Sequence, residues 1–173
     1  MIYGAIDKGS ASWYTDLNTV FLGIGDVLSK YNWLITDSEV NSNNAIYEQF
    51  NTKPYYIKKN GEWVKIPCPE YAFLTGEELM NLLGNGFCQW IWGVLSGFEK
   101  TIQLDQILSH PLPYADGYCG FWQNPITIQH PLAEVEIVPW DSTLVLVISK
   151  NKGIVDQFRA AFPHSDDLTD YNR

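Results

Sequence analysis

The chain has few charged residues, and most of those it has are acidic. Charged side chains make up 18% of the 173 residues, and 20 acidic against 11 basic residues give a net charge of −9. Because such an excess repels phosphate backbones, we expect no nucleic-acid partner. The same charge would steer the protein towards a cationic partner, although acidity also serves solubility.

The cysteines are too few and too scattered for a disulfide framework. Cys68, Cys88 and Cys119 are odd in number and have no CxxC spacing, which favours a reduced chain. No basic segment followed by an apolar stretch opens the sequence, so we expect no secretory signal. The most apolar run, residues 87–98, is too short to span a bilayer. We therefore expect a cytoplasmic protein that does not enter membranes.

Phosphate-binding motifs are absent as well. Gly23 and Gly25 lack the third glycine of the dinucleotide fingerprint and fall inside a predicted helix, and no P-loop lysine is present. The sequence therefore predicts no nucleotide cofactor, and no motif points to any other cofactor.

Periodic apolar residues predict the first helix, from about Ser12, its candidate N-cap, to Lys30. Its stripe includes Trp13, Leu17, Val20, Phe21, Ile24, Val27 and Leu28. Gly23 and Gly25 are unfavourable inside a helix, so we expect a kink or a close helix contact there.

Turn and cap signals are strongest between residues 55 and 83. Asn60-Gly61 lies between two strand-like segments and predicts a two-residue hairpin turn. Thr75 and Glu78 match a capping box at the start of a helix.

Residues 88–98 predict a central strand, with Trp90 and Trp92 on one face and Ile91 on the other. Further strands are predicted at 2–6, 33–36, 134–138 and 143–149, and helices at 104–108 and 153–162. Strands and helices intermix without strict alternation. The pattern predicts a single α+β domain over residues 1–165, with a mixed, mostly antiparallel sheet packed by about four to five helices. Residues 166–173 are expected to form an acidic, polar, frayed tail.

A long loop holds two of the three histidines, His110 and His130, each opening the tripeptide His-Pro-Leu. With Asp116 and Cys119 they are the residue types that bind zinc, but their spacing matches no ligand pattern. A histidine before proline is held extended, and its ring often bonds a loop backbone. We therefore expect no metal. Cys119 with either histidine and Asp116 could instead form a nucleophile–base pair, although no nucleophile signature is present.

Glu134 and Glu136 are two residues apart on a predicted strand and would share one face. Paired carboxylates can perform acid–base chemistry or bind a cation. The simpler interpretation is a solvated strand face, with Val135 and Ile137 packed inward.

Aromatic residues are concentrated in the same loop, where aromatic side chains often contact a ligand or partner. The loop is therefore predicted to be a recognition surface. Its candidate binding residues are Tyr114, Asp116, Tyr118, Trp122, Glu134 and Glu136.

Two functions remain open from the sequence. In size, acidity and lack of a catalytic motif the chain resembles the immunity proteins of bacterial toxin systems, a likeness of composition only. That resemblance implies a small acidic module that binds a basic protein, with no enzymatic activity. The alternative is a small hydrolase or transferase that uses His110, Cys119 and His130. The oligomeric state stays open.

Overall fold

A computed structural model describes residues 1–9 and 15–173 of the chain. Five α-helices lie in this part of the chain: α1 (Leu17–Ile24), α2 (Gly76–Leu83), α3 (Leu104–Leu108), α4 (Lys152–Ala161) and α5 (Leu168–Tyr171). Its strands are β1 (Tyr3–Asp7), β2 (Tyr31–Asn41), β3 (Tyr55–Lys59), β4 (Glu62–Ile66), β5 (Tyr71–Thr75), β6 (Gln89–Glu99), β7 (Val135–Trp140), β8 (Leu144–Ser149) and β9 (Asp166–Asp167). Short 3-10 helices cover Asp26–Lys30, Ala45–Phe50 and Cys119–Trp122.

Seven strands form one sheet in the order β5-β2-β6-β7-β8-β1-β9, and β3 and β4 form a second sheet of two strands. Every strand pair in the described residues is antiparallel. The predicted α+β class with a mostly antiparallel sheet is confirmed. The expectation that the sheet mixes parallel and antiparallel strands is wrong, because no parallel pair occurs in the described residues.

Three helices of the described chain, α1, α2 and α4, reach eight residues or more. This is fewer than the four to five packed helices predicted from the sequence. Irregular chain takes the place of the missing helices on one face of the sheet. No helix in the described part of the chain is long and apolar enough to cross a bilayer.

The large sheet buries apolar side chains on both faces. One face packs against α1, α2 and α4, and its core includes Trp33, Leu95 and Val147. The opposite face carries Val94, Val138, Leu146 and Ile148 in one cluster and Leu34 and Phe98 in another. The long loop between α3 and β7 supplies Ala115, Phe121 and Ile126 to the first of these clusters and Ala133 to the second. The loop is therefore the second covering layer of the sheet.

Strand β6 has the predicted central position, but its two tryptophans lie on different faces. Trp90 pairs with Val40 and Trp92 with Glu39, so Ile91 is an extra residue on β6. Such a bulge reverses the alternation of side chains along a strand. Trp90 therefore packs in the helix-side core, and Trp92 packs against the loop-side cluster. The expectation of one shared face is wrong.

The first helix is shorter than the predicted span. It begins at Leu17 with Asp16 as its N-cap, and the positive φ of Gly25 ends it. Ser12 and Trp13 lie outside the described residues. The predicted close contact is confirmed, because a Cβ on Gly23 would come within 2.7 Å of the Ala161 Cβ of α4.

Local turn chemistry is predicted well from the sequence. Asn60 and Gly61 both adopt positive φ values, 52° and 87°, and join β3 to β4 with Lys59 opposite Glu62. The capping box is also present, because the Glu78 carboxylate accepts from the Thr75 amide and the Thr75 hydroxyl accepts from the Glu78 amide. Both predictions are confirmed.

Residues 166–173 are part of the fold. Asp166 and Asp167 pair with β1, and Leu168 at the start of α5 is completely buried in the loop-side cluster. Asp167 caps α5 by accepting from the amides of Thr169 and Asp170. The expected fraying is wrong, because one buried leucine and a cap anchor an otherwise polar segment.

We expect Gly97→Ala to destabilise the protein through overpacking. A Cβ at this position on β6 would lie 2.7 Å from Val135 Cγ1 and 3.2 Å from the Trp33 ring. Urea unfolding should show a loss of about 1–3 kcal/mol. Gly84→Ala is the matched control, because its nearest neighbour would be 3.5 Å away and its φ of −73° is open to any residue. A Gly97→Ala protein as stable as the control would contradict the packing of β6 described above.

Candidate functional site

Glu136 anchors the long loop to the sheet. Its side chain is completely buried on β7, and it accepts hydrogen bonds from the amides of Gln129 and His130, each at 2.8 Å. The Ser96 hydroxyl donates to the same carboxylate at 3.3 Å. Burial is the main cause that raises the pKa of Glu136 to about 7, and the hydrogen bonds act against it. The solvated strand face expected for this residue is wrong, because the loop covers it.

Glu134 lies in a different environment from Glu136. It precedes β7, is half-buried and forms an ion pair with Lys150 at 2.9 Å. Val135 and Ile137 pack inward as predicted. The two glutamates therefore do not form a catalytic pair, and Glu136 has no surface with which to meet a partner.

His130 is held by backbone groups on both ring nitrogens. Its Nδ1 accepts from the Leu132 amide at 3.2 Å, so Nε2 carries the proton and donates to the Ile107 carbonyl at 3.1 Å. Its ring is buried against Phe98, and burial lowers its pKa. The ring of His110 lies 5.4 Å away, centroid to centroid. This arrangement holds the loop in place and leaves His130 no free nitrogen for catalysis or a metal.

Cys119 is exposed and does not join a nucleophile–base pair. The side-chain amide of Gln123 donates a hydrogen bond to the Cys119 sulfur at 3.9 Å. In the described residues no hydrogen bond links Cys119 to a histidine. In residues 1–9 and 15–173, no three His, Cys, Asp or Glu side chains lie together so that they could hold a metal ion. The four candidate zinc ligands are therefore not brought together.

The backbone around Tyr114 is fixed by two neighbouring side chains. The Gln129 side chain accepts from the Tyr114 amide at 2.6 Å and donates to the Tyr114 carbonyl at 3.0 Å. Asp37 Oδ2 accepts from the amides of Ala115 and Asp116 at 2.8 and 2.9 Å. Tyr114 nevertheless remains 48% exposed as a residue. The loop thus presents an aromatic side chain on a rigid backbone.

Asp37 was not among the predicted site residues. It has a positive φ of 47° and occupies a bulge of β2, where the register against β6 shifts between Thr36 and Glu39. Aspartate tolerates this conformation better than most residues. The only sequence signal for this role was an aspartate that follows an apolar segment directly. That pattern is common in turns and does not distinguish a loop-anchoring residue.

A cleft of about 270 Å³ opens beside Tyr114. Two carboxylates, two threonine hydroxyls and three apolar side chains of the described chain line it, with no basic residue among them. The seven residues are Thr36, Asp37, Thr52, Glu70, Leu112, Pro113 and Tyr114. The Thr36 hydroxyl is buried and has no hydrogen-bond partner among residues 1–9 and 15–173. The cleft therefore combines negative charge with apolar walls.

The other predicted binding residues lie along the same loop. Asp116 pairs with Lys53, whose ammonium group also lies 5.6 Å from the centre of the Trp92 ring. Tyr118 packs between Tyr114 and Phe121, and Trp122 packs against Trp140 at 5.1 Å. Tyr118 and Trp122 are partly buried, so they support the loop as well as contributing to its surface.

No family model, curated protein or solved structure matches this chain. No relative therefore supplies a function for the cleft.

We expect the stability that depends on Glu136 to fall as pH rises. The folded protein keeps the Glu136 proton up to about pH 7, whereas the unfolded chain releases it near the ordinary pKa of 4.5. Between these values the folded state binds more protons, so a rise in pH favours unfolding. The total effect is of the order of 3 kcal/mol.

Chemical unfolding of the wild type and Glu136→Gln from pH 4.5 to 8 tests this. The lowered pKa of His130 gives the opposite slope, but both proteins contain that residue. The stability of the wild type relative to Glu136→Gln should therefore decrease with pH. Parallel curves would show that folding does not raise the pKa of Glu136.

Asp37→Gly should loosen the loop at Tyr114. Glycine keeps the positive φ but removes the carboxylate, which leaves the amides of Ala115 and Asp116 without their acceptor. Losing such an acceptor costs about 1–3 kcal/mol. Hydrogen exchange at these two amides should accelerate, while exchange within β7 and β8 stays unchanged. Unaltered protection at residues 115 and 116 would contradict the anchoring role of Asp37.

Proposed function

We propose that this protein is a small acidic binding module that engages a basic protein through its long loop. The observation that carries the proposal is the half-exposed Tyr114 ring on a fixed backbone beside an acidic cleft. Rigid aromatic anchors give large contact area at low entropic cost, which is why interfaces are enriched in them.

The cleft favours the side chain of a lysine or arginine. Asp37 and Glu70 supply negative charge, and Leu112, Pro113 and Tyr114 provide apolar walls for an aliphatic stem. Glu70 is better placed than Asp116 to attract a basic partner, because Lys53 compensates the charge of Asp116.

The net charge of −9 means that the molecule as a whole, and not only the cleft, attracts a basic partner. Long-range attraction would raise the association rate with a cationic partner and fall with added salt. A basic toxin neutralised by an immunity-type protein is the partner class that fits this behaviour. A cytoplasmic location is part of the same proposal.

The hydrolase or transferase alternative has less support. It required His110, Cys119 and His130 to act together, whereas both nitrogens of His130 bond backbone groups and Cys119 bonds Gln123. No observation in the described part of the chain favours catalysis over binding.

Tyr114→Ala is the sharpest test of the binding surface. The side chain is half exposed, so its loss should leave the free energy of unfolding nearly unchanged. A captured basic partner should bind more weakly by about 2 kcal/mol or more, measured by titration calorimetry. Glu70→Gln should mainly slow association, and more strongly at low salt.

Phe87→Ala removes an aromatic ring of similar exposure, 53%, outside this cleft, and is the matched control that should leave affinity unchanged. An arginine-rich peptide and its citrulline counterpart provide a second probe that needs no natural partner. Only the charged peptide should shift the amide resonances of residues 36, 37, 112 and 114–116. Equal shifts with both peptides, or none, would reject the cleft as a site for basic side chains.

A further inference from the structure

The hairpin formed by β3 and β4 stands apart from the main sheet. It is a two-stranded sheet of its own, and its residues are exposed except for the half-buried Ile66. Trp63 is 69% exposed and Tyr56 is 60% exposed. An isolated hairpin is at best marginally stable in water, and clustered exposed apolar residues mark interaction surfaces.

The cross-strand register divides the hairpin into two faces. Tyr56 lies opposite Lys65, and Lys58 lies opposite Trp63, so these four residues share a face that contains no carboxylate. The other face carries Tyr55, Ile57, Val64 and Ile66, together with Lys59 and Glu62 near the turn. One face is therefore aromatic and cationic, and the other is mainly apolar.

The hairpin is basic in a strongly acidic chain. It holds three lysines and one glutamate, and none of these lysines forms an ion pair within residues 1–9 and 15–173. Elsewhere the described chain pairs many of its cations, for example Lys100 with Glu77 and Lys152 with Asp156. The hairpin thus presents positive charge that the same molecule does not neutralise.

A complementary acidic cleft lies at the base of this hairpin. It has a volume of about 440 Å³, and Glu39, Glu48, Asn51, Tyr55 and Tyr56 are among its walls. Neither glutamate forms an ion pair in the described residues. Lys58 and Trp63 lie near the turn, away from this base, and are not among the walls of the cleft in their own copy.

We propose that two copies of the chain associate through this hairpin, each hairpin lying across the acidic cleft of the other copy. If two hairpins cross in opposite directions about a two-fold axis, the tip of each meets the base of the other. Lys58, near the turn, then faces Glu39 and Glu48 of the second copy, and Trp63 enters its cleft. Lys65, opposite Tyr56 at the base, adds positive charge to the same face of the hairpin. Such an interface is self-complementary, as a two-fold dimer requires.

The size of the two surfaces fits this arrangement. The hairpin spans residues 55–66, and seven residues outside the hairpin line the cleft. Together they approach the roughly 20 residues that each partner contributes to a standard interface. This association does not involve Tyr114 or its cleft, so it stands or falls independently of the proposed function.

Sedimentation velocity of the full chain tests the proposal. The wild type should show a concentration-dependent dimer that weakens with salt. Trp63→Ala should raise the dimer dissociation constant by about tenfold or more, and the double variant Lys58→Glu/Lys65→Glu should be monomeric. Lys30→Glu makes the same kind of charge change at an exposed lysine outside the hairpin and should remain dimeric. Circular dichroism should be the same for all these proteins, because the changed side chains are exposed.

An exchange of charge between the cleft and the hairpin provides the decisive experiment. Glu39→Lys/Glu48→Lys should also be monomeric alone, and mixing it with Lys58→Glu/Lys65→Glu should restore a heterodimer. Wild-type protein that stays monomeric up to millimolar concentration would overturn the proposal. So would a dimer that none of these substitutions weakens, or a monomer whose hairpin binds vesicles of anionic lipid instead.

Discussion

The large sheet is apolar on both faces, and the layers around it follow from the need to remove both faces from water. Helices α1, α2 and α4 cover one side, as their amphipathic patterns require. The other side carries residues such as Val94, Val138 and Leu146, which would otherwise form a large exposed apolar patch. The long loop covers this side, and its irregular backbone therefore lies against a core where its polar groups need partners.

Buried polar side chains meet that requirement at a small number of points. Glu136 accepts two loop amides, His130 bonds the backbone at Ile107 and Leu132, and Asp37 accepts two more amides near Tyr114. The same carboxylates and imidazole that resemble catalytic components are used to hold a loop in place. This explains why acid–base residue types are concentrated here without forming a nucleophile–base pair or a metal site in the described residues.

The loop and the hairpin divide the surface chemistry of the molecule. The loop presents Tyr114 beside carboxylates, which suits a basic partner, whereas the hairpin presents lysines and aromatic rings, which suit an acidic surface. Because the rest of the chain is acidic, a second copy is itself a suitable partner for the hairpin. Two surfaces of opposite charge would allow self-association and partner binding without competition for the same residues.

Local features of this protein were determined by its sequence. The Asn60-Gly61 turn, the Thr75–Glu78 capping box and α3 depend on neighbouring residues, so their patterns predicted them. The α+β class with a mostly antiparallel sheet also followed from the intermixed strand-like and helical segments. The aromatic loop was recognised as distinctive for its composition, although its role as a covering layer was not.

Tertiary structure alone decided the environments of the candidate residues. The bulge at Ile91 separated Trp90 from Trp92, and burial under the loop changed Glu136 from a solvated charge to an anchor with a raised pKa. Asp37 acquired its role from residues nearly 80 positions away, and Leu168 drew an acidic segment into the core. Each outcome depends on long-range pairing and on the removal of water, and neither is encoded in the spacing of adjacent residues.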